Sequence, residues 1–263
     1  MKGEYIMKPT FKNHEKPLFT CMIQKRTPQE IIDTMKLAKP AGADAFGIQF
    51  EQLLPEHRNP EAYKQIFSNT GGLPTYITNY RSDRFDNANA GKSDEVLSRE
   101  LVEIAKCGGT LMDVMGDMFC KHPEELTDDP EAVKKQIELI DEIHSVGGEV
   151  LMSSHVLKYT PAERVIEIAL AQQERGAEVV KIVTHANDDI EQGDNLRMVG
   201  MLKKELKVPF LYLCGGNCQV LRRIGPMLGC GLWLCVYERD DLSTRSQPLL
   251  HQVKAIWDNF FEV

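Results

Sequence analysis

Two apolar runs in this chain enclose, or end in, a side chain that could do chemistry. Ser153-Ser154-His155 closes a segment that reads as a buried strand, and Lys181 stands inside Val179-Val180-Lys181-Ile182-Val183, which reads as the next one. An amine enclosed by apolar residues is costly to keep charged, because desolvation disfavours the ammonium, and an uncharged amine is a nucleophile. Beside an imidazole, which moves protons near neutral pH, it points to covalent catalysis through a Schiff base with a ketone or aldehyde. The plainer alternative is that Lys181 ends its strand in solvent and His155 is an ordinary loop histidine, since barrel strands commonly finish in polar residues.

Bringing those two groups together takes neighbouring parallel strands, and the sequence pattern supplies them. Strand-like and helix-like segments alternate with short connections. Strands are predicted over 18–23, 45–50, 74–80, 111–115, 149–154, 179–183, 210–214 and 232–236, with helices over 27–42, 60–68, 93–107, 129–146, 160–175, 195–206, 220–228 and 249–260. Thr27-Pro28, Asp129-Pro130 and Thr160-Pro161 read as helix starts, a capping side chain before a proline, and Gly108-Gly109 and Gly147-Gly148 as stops. Eight such units in about 250 residues predict an α/β chain of one domain, a (β/α)8 TIM barrel over 18–263 behind an N-terminal extension of 1–17. No Gly-x-Gly-x-x-Gly follows a strand, which argues against a dinucleotide-binding sheet. In a barrel, catalytic groups gather at the C-terminal ends of the strands. Besides His155 and Lys181, that mouth would receive Arg81 after the third strand, Asn217 and Arg222 after the seventh, and Ser243 and Gln247 after the eighth.

Composition narrows the function further. The 263 residues, 42% of them hydrophobic, are ordinary for a globular protein with a sizeable core. A formal net charge of −8 argues against a general nucleic-acid binder and leaves room for a small basic pocket holding an anionic substrate. Seven cysteines, an odd number and mostly inside apolar runs, fit a reducing cytoplasm better than a disulfide framework. Cys214 and Cys218 have a ligand-like spacing but no second pair, and read as small core residues, so no metal is expected. No apolar run approaches the roughly eighteen residues of a membrane span.

Four segments, in order, resemble a known family, the type I 3-dehydroquinate dehydratases, from about Pro17 to the C-terminus. Its Ser-Tyr-His followed by Thr-Pro is similar to Ser153-Ser154-His155 with Thr160-Pro161, and its Gly-Ala-Asp leading to Val-Lys-Ile to Gly176-Ala177-Glu178-Val179-Val180-Lys181-Ile182. Its arginine ahead of a Gly-Ser turn resembles Arg222 ahead of Gly229-Cys230, and its closing Ser-x-x-x-Gln resembles Ser243 to Gln247. The resemblance implies a hydro-lyase of the shikimate pathway, acting on a small cyclic keto acid without metal or organic cofactor, and a homodimer. Lys181 would attack the ring ketone, and the iminium would acidify the neighbouring C–H. His155 would take that proton and return one to the departing β-hydroxyl. Arg222, with Ser243 and Gln247, would clamp the substrate carboxylate, a task that suits a guanidinium; Arg223 is the alternative inward residue.

The departures from the pattern lie on strands two and three. Where the family reads Glu-x-Arg-x-Asp, this chain has Gly47-Ile48-Gln49-Phe50-Glu51, so the carboxylate expected near the histidine is missing and its basic partner becomes the amide of Gln49. The Thr-x-Arg after strand three is stretched to Thr78-Asn79-Tyr80-Arg81, without the Glu-Gly-Gly that should follow, and either Arg81 or Arg84 could enter the mouth. These positions read ring hydroxyls in the family, so Gln49 and Arg81 are the candidates for that contact here, and the accepted ring is expected to differ. Two other readings stay open: a Schiff-base aldolase, with Gly215-Gly216 cradling a phosphate, and a barrel that binds a quinate-like carboxylate without chemistry.

Overall fold

The computed structural model describes residues 9–82 and 87–261. Among them, strands and helices alternate as β1 (Leu18–Ile23), α1 (Pro28–Ala38), β2 (Ala45–Gln49), α2 (Pro60–Phe67), β3 (Thr75–Thr78), α3 (Asp94–Lys106), β4 (Leu111–Met115) and α4 (Pro130–Ser145). The second half continues with β5 (Glu149–His155), α5 (Ala162–Glu174), β6 (Val179–Ala186), α6 (Asp189–Glu205), β7 (Phe210–Gly216), α7 (Leu221–Leu228), β8 (Leu232–Cys235) and α8 (Leu250–Phe261). All strands pair in parallel in the order β7-β6-β5-β4-β3-β2-β1-β8. Gly231 N–H donates to the Phe210 carbonyl at 2.8 Å, joining the foot of β8 to β7 and all but closing the ring. This is the expected (β/α)8 barrel.

The barrel arises because the strands alternate inside and outside with nothing to leave in water. One face of each strand meets the helices: Phe19, Cys21, Phe46, Ile48, Met112, Val114, Val150 and Met152 pack there against residues such as Ile31, Leu97 and Ile140. The other face fills the barrel, with Leu18, Ala45, Leu111, Leu151, Val179, Leu211 and Leu232 clustered together. The described part of the extension, from residue 9, packs on the barrel. Phe11 joins that interior cluster, its N–H donates to Glu149 Oε2 at 2.9 Å, and Lys12 pairs with Glu178 at 3.1 Å.

Three local expectations give way to the structure. Helix α6 begins at Asp189 rather than near residue 195, because the Asp188 side chain accepts from the N–H groups of Ile190 and Glu191 and caps an earlier turn. Apolar spacing missed that turn since Ile190 lies on its exposed side. Thr160 does not cap α5: its hydroxyl donates to the Lys158 carbonyl, and Pro161 stands at the cap position without a side-chain bond. Strands β6 and β7 also run further than their apolar runs, paired up to Ala186 with Gly216, because ladder hydrogen bonding continues past the last apolar residue.

Candidate active site

The C-terminal mouth of the barrel holds a cavity of about 190 Å³, the scale of a single-ring acid, and both Lys181 and His155 line it. They come from neighbouring strands in a fixed register: Ser153 is level with Lys181, and His155, two residues on, is level with Val183. Period-two alternation on β3 sends Tyr76 and Thr78 into the same space, and Tyr80, just past the strand's end, follows them.

Lys181 is not the isolated amine that its apolar run predicts. It is buried, 5% exposed, and its Nζ lies 3.2 Å from Asp113 Oδ2, 3.0 Å from the Tyr76 hydroxyl and 2.5 Å from the Tyr80 hydroxyl. Asp113, from the middle of β4, is itself wholly enclosed. Its Oδ2 accepts from Tyr76 at 2.5 Å and from Tyr80, and its Oδ1 accepts from Ser153 at 2.6 Å. The resting geometry is a buried, fully hydrogen-bonded ion pair, which low dielectric tolerates only with its lone pairs and protons satisfied. Burial, reinforced by the Asp113 charge, pushes both phenols well above their usual range, so they stay neutral and donate.

His155 has the carboxylate that the sequence reading counted as missing. Glu125, in the loop between β4 and α4, takes a 2.6 Å hydrogen bond with His155 Nδ1, and the same Oε2 accepts the His155 backbone N–H. Glu125 is fixed for this role: its backbone is left-handed, φ 48°, its carbonyl accepts from Ser154 Oγ at 2.7 Å, and its N–H donates to His122. A carboxylate on Nδ1 selects the tautomer that leaves Nε2 as a base. The Tyr80 ring makes a T-shaped contact with the imidazole, centroids 5.2 Å apart, and so touches both His155 and the amine it bonds.

Arg222 and Gln247 also line the cavity, and each carries an unsatisfied polar atom, the Nε of Arg222 and the Oε1 of Gln247, buried without a partner among the described residues. Burial lowers the Arg222 pKa. Buried polar atoms are nearly always paired, so two orphans on side chains that line one cavity leave hydrogen-bonding capacity to spare beside it. The other expected contacts divide. Gln49 is on the wall. Arg81 is not, because its guanidinium is already engaged with Asp94 at 2.6 and 2.8 Å and with Asp117 side chain and carbonyl, both at 2.8 Å. It ties the start of α3 to the loop after β4, and Arg84 lies outside the described residues. Ser243 turns its hydroxyl onto the Asp240 carbonyl at 2.9 Å, and its neighbour Thr244 reaches the cavity instead.

The altered end of β2 is now legible. A Cβ on Gly47 would lie 2.0 Å from Met22 Sδ, so the methionine from β1 fills the room that a side chain at 47 would take. Glu51 folds away from the cavity into a short 3-10 turn and is 5% exposed. Its two oxygens share the Thr78 hydroxyl at 3.0 Å, and burial raises its pKa to about 7. Position 216 admits no side chain: at Gly216 a Cβ would meet the Ala186 carbonyl at 2.1 Å and the His185 ring at 2.5 Å.

The family model described as Type I 3-dehydroquinase matches residues 19–254. The chain belongs to the type I 3-dehydroquinase family. No match was found among the curated proteins. Among solved structures, the barrel is similar to the type I 3-dehydroquinate dehydratase of Clostridium difficile, described with covalently modified comenic acid, at 16% identity and TM-score 0.77, with 95% of each chain covered. It is similar to the 3-dehydroquinate dehydratase of Geobacillus kaustophilus at 12% identity and TM-score 0.76, covering 95% of this chain and 94% of the other. The Enterococcus faecalis enzyme follows at 16% and 0.73, covering 96% and 98%. As a type I dehydroquinase the chain is a hydro-lyase. Among its described residues, no helix is long and apolar enough to cross a membrane.

Proposed function

We propose that this type I dehydroquinase dehydrates 3-dehydroquinate, or a close cyclic β-hydroxy keto acid, through a Schiff base on Lys181. The observation that carries this reading is the placement of one buried amine and one carboxylate-oriented imidazole on the wall of a single small cavity. Lys181 adds to the ketone and loses water to form the iminium, which draws electrons from the adjacent C–H. His155 Nε2 takes that proton, and the same imidazole returns it to the β-hydroxyl as the enamine expels water. Hydrolysis of the conjugated iminium then frees the enone. Arg222, whose Nε lacks a partner among the described residues, and Gln247, donating from its amide NH2, hold the substrate carboxylate. The covalently modified ligand described for the Clostridium difficile enzyme is consistent with covalent chemistry on this fold.

Borohydride reduction of enzyme mixed with 3-dehydroquinate tests the mechanism. The expected result is one mass adduct located on Lys181, with neither adduct nor turnover in Lys181→Ala. An alanine variant that keeps its rate overturns the Schiff base.

A further inference from the structure

The proton that Lys181 must lose before it can attack, and the proton that the substrate oxygen must gain, meet at one atom of this structure, Asp113 Oδ2. Three donors converge on it: Lys181 Nζ, the Tyr76 hydroxyl and the Tyr80 hydroxyl. We propose that Tyr80 is a further catalytic residue, donating its hydroxyl proton to the substrate's carbonyl oxygen while Asp113 refills it with the proton released by Lys181. The inference rests on the Schiff-base reading and assigns a step within it.

Geometry selects Tyr80 over Tyr76. A carbonyl carbon bonded to Nζ carries its oxygen one bond further out, in the shell around Nζ where the Tyr80 hydroxyl already sits, 2.5 Å away. Tyr76 is fully enclosed and stands further off, at 3.0 Å. Tyr80, four residues nearer the mouth, is partly open to the cavity and abuts His155. Both phenols are neutral at working pH, as burial and the Asp113 charge require.

The cycle balances. The ammonium gives a proton to Asp113, and the amine's lone pair forms the C–N bond as the carbonyl π pair moves to oxygen. Tyr80 protonates that oxygen and recovers its proton from Asp113. The nitrogen, now positive, gives a second proton to Asp113. The carbinolamine hydroxyl takes this proton through Tyr80 and leaves as water, with C–O cleavage driven by the nitrogen pair forming C=N. Two of the three ammonium protons end in water, the third stays on the iminium, and Tyr80 and Asp113 return unchanged. His155 is thereby reserved for the C–H and the departing β-hydroxyl.

The test is a time-resolved borohydride quench with 3-dehydroquinate, reading the rate at which the Lys181 adduct appears alongside steady-state turnover. In Tyr80→Phe, which keeps the ring, the adduct should still form but about 100-fold more slowly, the ordinary scale of a lost acid. In Tyr76→Phe the slowing should be roughly tenfold at most, below the scale of a lost acid. His155→Ala, which leaves Tyr80 in place, should form the adduct at close to the unsubstituted rate while turnover falls. An unchanged adduct rate in Tyr80→Phe overturns the relay and leaves the Schiff base standing. Equal losses in the two phenylalanine variants would reduce both phenols to holding Asp113, and a His155→Ala loss as deep in adduct formation as in turnover would hand the proton to the imidazole. No adduct in the unsubstituted enzyme would sink the parent mechanism and the relay with it.

Discussion

At the scale of single residues, the site works by partnering rather than by isolation. Lys181 has a carboxylate and two phenols around its nitrogen, and His155 has Glu125. The two carboxylates have separate tasks because they lie on different elements and bond different groups: Asp113, on strand β4, is enclosed beside the amine, whereas Glu125, in the loop that follows, is partly exposed and orients the ring. Glu125→Gln removes the charge and can present its amide N–H to Nδ1, favouring the wrong tautomer. The expected outcome is a kcat reduced roughly 100-fold, with the Lys181 adduct still trapped and the dissociation constant for substrate little changed. Full turnover in that variant would show that the imidazole needs no orienting carboxylate.

At the scale of elements, each strand delivers its inward residues by strict alternation, and the short connections decide what happens to the residue that follows. After β2 the chain tightens into a 3-10 turn instead of continuing, so Glu51 is carried against Thr78 of β3 and out of the cavity. Its acidity gives a stability signature. With a folded pKa near 7, raised above its unfolded value, the folded state holds the extra proton between those limits. Stability from this group is complete below the unfolded pKa, near pH 4.3, and is lost as pH rises through about 7, a change of roughly 4 kcal/mol. Glu51→Gln should therefore raise the unfolding temperature relative to the parent at pH 8 and not at pH 4, measured by thermal denaturation. An identical shift at both values would mean that Glu51 folds ionised.

For the whole molecule, the two ends of the barrel have different duties. The mouth keeps unpaired polar atoms and a cavity, while the opposite end is sealed, with Phe11 inserted among the first inward residues of the strands at 2% exposure. That seal is a contribution to stability with no part in the chemistry. Phe11→Ala should cost about 3 kcal/mol and lower the unfolding temperature by roughly 6–12 °C, with kcat at 25 °C unaltered. A shift under about 2 °C would show the plug to be dispensable. Among the residues lining the cavity, Arg222 and Lys181 are the Arg and Lys side chains, and none of the lining residues is an Asp or Glu.

The sequence by itself determined the barrel, because alternating strand and helix patterns with proline starts and glycine stops allow few other packings, and local hydrogen bonding enforces each element. It also determined that Lys181 and His155 share a mouth, since register between adjacent strands follows from where the runs begin. Only the tertiary structure decided who surrounds them. Asp113 left a signal, an acid inside the apolar run Leu111-Met112-Asp113-Val114-Met115, and Tyr76 and Tyr80 left the alternation of β3, but nothing in one dimension states that they meet the same amine from two and three strands away. Glu125 left no signal, because its loop conformation depends on Ser154 and His122 holding it. Arg81 misled for the same reason in reverse: a basic residue at a strand end looks free until Asp94 and Asp117 close around it. Pairing between distant charged groups is fixed by three-dimensional proximity, and that information enters only when the ring closes.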